Sequence, residues 1–111
     1  MNQTDLFKEI IATYRKHGWQ LKRVLVRREI SAEVREQIQA NGESPQIAEA
    51  LVDAMWFARP SYGGREAWEL RLVADLPYAL LETFEADDAE EAREEKRREI
   101  EERLRNHVTP R

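Results

Sequence analysis

The sequence predicts a single α+β domain of order α-β-α-α-β-β-β-α, with a four-stranded, largely antiparallel sheet and helices packed mainly on one face. Three observations carry this. Residues 54–86 hold three β-rich runs separated by the turn signals Ser61-Tyr62-Gly63-Gly64 and Asp75-Leu76-Pro77, an antiparallel meander. Residues 2–17 and 87–105 have helical spacing and helical charge order, and the stretch between the first strand and the meander reads as helical.

The first helix is expected over residues 3–17, where Leu6, Phe7, Ile10, Ile11 and Tyr14 share a face and Gly18 supplies a stop after His17. Trp19 to Arg27 follows as a strand whose alternation is imperfect. Trp19, Leu21 and Leu25 share parity with Arg23, and Val24 and Val26 hold the other. Ser31 is an N-cap for a helix presenting Val34 and Ile38 and ending at Asn41-Gly42. Ser44 with Pro45 reads as the start of another helix, whose stripe is Ile47, Ala48, Leu51 and Val52.

In the meander, a two-residue Gly63-Gly64 turn would set Arg59 opposite Trp68, Phe57 opposite Leu70 and Met55 opposite Leu72. Those six would form one core face. For the second hairpin Leu72 lies opposite either Leu80 or Ala79, and the second register is preferred because it keeps Glu82 off the core face. The other face then carries Trp56, Glu69, Arg71, Val73, Tyr78, Leu80, Glu82 and Phe84, and is either half covered or a binding surface. The last helix, 87–105, places its acids first and Arg103 and Arg105 last, matching the helix macrodipole. Its apolar stripe is thin: Ala89, Ala92, Ile100 and Leu104. Residues 106–111 are expected to fray.

Composition narrows the function classes. A chain of 111 residues can bury about two-thirds of its unfolded surface and is read as one domain, 1–111. With no cysteine, thiolate chemistry, disulfides and cysteine zinc sites are excluded. No apolar run approaches the length of a membrane span and no signal peptide is evident, so a cytoplasmic, soluble protein without membrane contact is expected. Charged residues make up 36%, well above the usual quarter, and they are unevenly placed. Residues 1–28 carry +5 and residues 85–102 carry -6.

The basic segment Arg15, Lys16, Lys22, Arg23, Arg27 and Arg28, with Trp19 among them, has the ingredients of a nucleic-acid surface. An acidic helix in the same small domain and a pI of 5.3 argue against it. His17, at a helix end, fits the C-terminal dipole better than catalysis. Glu69 and Glu82 beside Arg71 are the one carboxylate set that a shared sheet face would bring together. No nucleotide, zinc-protease or EF-hand motif occurs, so no catalytic residue, cofactor or metal is assigned.

Aromatic and arginine residues around the first turn are the types that dominate protein-protein hot spots. The interaction candidates are Trp56, Arg59, Tyr62, Arg65, Glu69, Arg71, Tyr78, Glu82 and Phe84. The expected function is therefore a small binding or regulatory module acting by protein-protein contact, with a protein partner or a second copy as its ligand. The run Trp68-Glu69-Leu70-Arg71-Leu72, followed by a turn and the strand Tyr78 to Phe84, resembles the central hairpin of the RelE and HigB type toxin ribonucleases. That resemblance covers under a fifth of the chain and implies an alternative, an RNA-acting enzyme in which Arg71 is the matching arginine. A domain for a small apolar ligand is the third reading.

Overall fold

The computed structural model describes residues 1–108, and its centre is a strand buried on both faces. That strand, β3 (Ala54–Pro60), lies in the middle of a five-stranded sheet ordered β2-β1-β3-β4-β5, with β1 at Gln20–Val26, β2 at Gln46–Glu49, β4 at Glu66–Leu72 and β5 at Ala79–Phe84. The β1/β2 pair is parallel and the remaining pairs are antiparallel. The fold is thus α+β as expected, but the sheet is mixed and has five strands instead of four.

Helix α1 (Gln3–Lys16) begins at Asn2, whose side chain accepts the Asp5 N–H at 2.8 Å. It ends where Gly18 turns the chain back at φ +87°. Helix α2 (Ala32–Gln39) is capped by Ser31, as its sequence predicts. Residues 46–49, expected to be helical, instead form β2, with the Ala50 N–H donating to the Val26 carbonyl at 2.9 Å just beyond it. Only four residues long, the segment gains a full backbone ladder beside β1, which outweighs its weak helical stripe. Helix α3 (Glu90–Val108) starts three residues later than expected and continues through residues 106–108, where fraying was predicted. The rest of that tail, 109–111, lies outside the described residues.

The imperfect alternation of β1 has a structural cause. A bulge between Leu21 and Arg23 inserts Lys22, so Leu21 joins Val24 and Val26 on one face, while Arg23 and Leu25 turn to the other. The first face packs under α1 and α2, with Phe7, Ile10, Ile11, Val34, Ile38, Met55 and Phe57. The second packs under α3, with Trp56, Leu70, Ile100 and Leu104. Helices therefore cover both faces, not mainly one.

The register of the meander differs from the expected one by a single residue. The connection is the five-residue loop Ser61 to Arg65, closed by the Ser61 N–H on the Arg65 carbonyl at 2.8 Å. Gly63 and Gly64 lie at φ +65° and +78°, the left-handed region that glycine enters without strain. Consequently Ala58 pairs with Trp68, Trp56 with Leu70 and Ala54 with Leu72. Met55, Phe57 and Arg59 face α1, whereas Trp68, Leu70 and Leu72 face α3, so the expected six-residue core face is split between the two layers. In the second hairpin Leu70 pairs with Leu80 and Trp68 with Glu82, a register beyond both expected ones.

Ile100 and Leu104 are the only apolar side chains that α3 buries, and both are almost fully enclosed. Truncating either to alanine is expected to lower stability by about 2–5 kcal/mol. Chemical denaturation followed by tryptophan fluorescence measures it.

Candidate functional site

The interaction candidates separate onto two sides of the sheet, and the side under α3 is internal. Trp56 is fully buried, and its indole N–H donates to Glu101 Oε2 at 2.7 Å. Trp68 meets Trp56 and Phe84 edge to face at 6.0 and 6.1 Å. Over these rings lies the Arg97 guanidinium, 4.6 Å from the Trp68 centroid, in a residue only 3% exposed. Tyr78 stacks flat on His107 at 3.7 Å, and Glu82 is half-buried opposite Trp68. Trp56 and Phe84, expected to lack burial partners, are thus core residues.

The ions of α3 form one connected chain. Arg97 pairs with Glu90 and, at 3.1 Å, with Glu94, which accepts from Arg23 at 2.7 Å. Arg23 then reaches Glu101 at 2.9 Å, and Glu101 holds Trp56. Arg23 of the basic segment thereby meets two glutamates of the acidic helix. Arg15 is likewise internal, spanning Glu43 at 2.6 Å and the Gln37 and Ile38 carbonyls at the end of α2. Two arginines of the expected nucleic-acid patch are thereby engaged within the fold. His17 bonds the Thr13 carbonyl through Nδ1 at 2.8 Å, a contact within its own helix end.

Burial pushes the Glu94 carboxyl upward, but hydrogen bonds and charge from Arg23 and Arg97 outweigh it and hold the pKa at about 2. A carboxyl depressed in the folded state stabilises it fully above the unfolded value near 4.5 and loses that contribution as pH falls toward about 2. Glu94→Gln is expected to flatten the pH dependence of the denaturation midpoint between about pH 5 and 2 relative to the wild type.

The other side of β4 and β5 is open. Helix α1 roofs β1 and β3, and its last large apolar residue, Tyr14, stacks on Phe57 at 4.1 Å. The Tyr14 hydroxyl donates to Glu69, a pair that burial and the neighbouring carboxylate keep in its protonated phenol form to unusually high pH. Arg71 lies next along the same face and donates to the Leu72 carbonyl, while Arg59 lies 4.4 Å over Trp19 and reaches the His17 carbonyl at 3.2 Å. Beyond this polar rim the surface passes to Ala79, Leu81 and Thr83 of β5, all exposed, Leu81 by 61%.

Of the candidates, the fold brings together Arg59, Glu69 and Arg71 on this open face. Tyr62, 88% exposed, and Arg65, paired with Glu85 at 3.0 Å, stand on the connecting loop. Glu82 is on the opposite face from Glu69, so the expected carboxylate pair is not assembled. Among the described residues no cluster of three metal-ligating side chains occurs. No helix among them is long and apolar enough to cross a membrane. In the register the sequence favours, Leu81 meets Leu70 on the core face, whereas the structure pairs it with Glu69 and exposes it. The signal was present: in the doublet Leu80-Leu81 strand alternation buries only one of the two under α3.

The backbone of β5 is exposed along with its side chains. The Leu72 N–H donates to the Tyr78 carbonyl at 2.9 Å, and on a regular antiparallel ladder this directs the backbone groups of Leu80, Glu82 and Phe84 to β4 as well. Those of Ala79, Leu81 and Thr83 point outward, and among the described residues no strand pairs with them. A separate cleft of about 750 Å³ opens at the far end of the sheet, between the start of α1 and the Arg27–Ser31 segment. Of its carboxylates Glu29, Asp53 and Asp75, Asp53 is engaged by Gln3 and the Arg27 N–H, both at 2.8 Å.

Neither a family model, a curated protein nor a solved structure matches the chain.

Proposed function

We propose that the protein is a binding module that acts by protein-protein contact through the free edge of β5 and the open sheet face beside it. The observation that carries this reading is the edge itself. Six residues run straight, without proline, glycine or bulge, and three of them present both backbone groups and an exposed side chain. Natural sheets usually blunt such an edge, because it is a template for another strand. An added strand would gain main-chain hydrogen bonds from Ala79, Leu81 and Thr83, and the side chains Leu81, Glu69 and Arg71 would select among sequences.

The sheet face gives the RNA-acting alternative little to work with. Arg59 and Arg71 both donate to backbone carbonyls of the fold, and the Glu69 carboxylate stands with them, offsetting part of their charge.

A photo-reactive amino acid placed at Thr83, expressed in the native host and irradiated, is expected to yield a covalent adduct with a polypeptide. The same probe at Glu36, exposed on α2, is expected to yield none. Leu81→Pro should abolish the Thr83 adduct while leaving circular dichroism unchanged, because the Leu81 N–H points away from β4 and its loss breaks no internal bond. Equal labelling at the two positions would sink the proposal.

A further inference from the structure

The two edges of the sheet are built differently. On the β2 side the edge strand is four residues long, preceded by Pro45, and carries Glu49. These are the usual devices against strand addition. On the β5 side the strand is six residues long, Pro77 stands two residues before it, its one charge, Glu82, directs its backbone to β4, and the outward residues read Ala79, Leu81, Thr83.

That set is complementary to itself. Antiparallel pairing of β5 with another β5 can form close hydrogen-bonded pairs only between outward residues. Centring it on Leu81 uses all three: Leu81 meets its own counterpart, Ala79 meets Thr83, and Thr83 meets Ala79. Small residues flank a leucine pair on the open face, with no charge among them. On the α3 face Leu80 would lie opposite Glu82, so the one charge on the strand is not placed directly opposite its own copy, the arrangement that destabilises cross-strand pairs. A two-fold pairing also consumes both free edges at once. The resulting ten-stranded sheet would end in the short β2 strand on each side, closed against further growth.

From this we infer that the occupant of the β5 edge is a second copy of the same chain, joined antiparallel with Leu81 on the two-fold axis. The inference rests on the edge-binding reading above and adds the partner and its register. The dimer brings the two open half-faces side by side, so that Glu69 and Arg71 of both copies border one continuous four-stranded floor.

The natural absence of cysteine makes the register testable by single substitutions. Leu81→Cys is expected to oxidise to a disulfide dimer, since facing residues of a hydrogen-bonded pair are about 5.5 Å apart at Cα, within disulfide reach. Ala79→Cys or Thr83→Cys alone should not, because each is four residues out of register with its own copy, over about 13 Å along the strand. Mixing those two variants should give the crossed disulfide. In sedimentation equilibrium the wild-type mass should rise with concentration from 13.1 kDa toward twice that value. Leu81→Lys, which sets two ammonium groups face to face on the axis, and Leu81→Pro should hold the mass at 13.1 kDa with unchanged circular dichroism. A wild type that stays monomeric, a dimer indifferent to both variants, or disulfides at Ala79→Cys in preference to Leu81→Cys would each overturn the inference. If a Thr83 probe in such a case still captures a different polypeptide, the edge-binding reading survives with another partner. Capture of nothing removes both.

Discussion

The structure depends on β3 being dry on both faces. Met55 and Phe57 point into one layer and Ala54, Trp56 and Ala58 into the other, all essentially without solvent contact. A strand of that kind needs a cover on each side, and the chain has unequal material for the two. Helices α1 and α2 bring a broad apolar stripe of Phe7, Ile10, Ile11, Val34 and Ile38. Helix α3 brings Ile100 and Leu104 and is otherwise almost wholly charged.

The charged helix covers its face by a different physics. Arginine can lay a planar, weakly hydrated cation on an aromatic ring while its remaining donors bind carboxylates. Arg97 does this over Trp68 and Phe84, and Arg93 lies 5.5 Å from Phe84. Glutamates of α3 return charge to Arg97 and to Arg23 of β1, and Glu66 of β4 returns it to Arg93. Arg23, Glu94 and Arg97 each have their desolvation offset by ion pairs to two or more partners, while the buried Nε of Arg93 has no hydrogen-bond partner among the described residues. A charged-to-apolar exchange at one position would therefore leave a neighbour unpaired, and buried unpaired charge is costly. Of the cations in residues 1–28, Arg23 joins this network, while Arg15 pairs with Glu43 and Lys8 with Glu33.

How much of this the sequence disclosed depended largely on whether the signal was local. Ser31 and Asn41-Gly42 act locally and stand where they are expected, whereas the equally local Ser44-Pro45 signal precedes a strand instead of a helix. Registers were not legible. The Gly63-Gly64 pair looks like a two-residue turn, yet both glycines sit inside a five-residue loop, and that difference turned every side chain of β4 over relative to β3. Residues 46–49 show the same limit, since Ile47 and Ala48 fit either period and only the neighbouring β1 decides between them. Trp56 and Phe84 read as interaction candidates on a half-covered or binding face, because a helix with so few apolar residues gives no sign that arginines complete its packing.

The open half of the sheet follows from the same inequality. Helix α1 is 14 residues long and must follow the apolar run it shares with β1 and β3, so its roof ends at Tyr14 and Trp19. Past that point Ala67, Glu69 and Arg71 are partly buried and Ala79, Leu81 and Thr83 are exposed, and among the described residues no element covers the last three. Their composition answers to another requirement. A merely solvated face would be expected to carry charge where the strand ends in water, as Glu49 does on β2. On β5 the outward side chains are alanine, leucine and threonine, and the backbone beside them is unspent. A surface that the core does not need and that water does not favour is what the proposed strand addition would use.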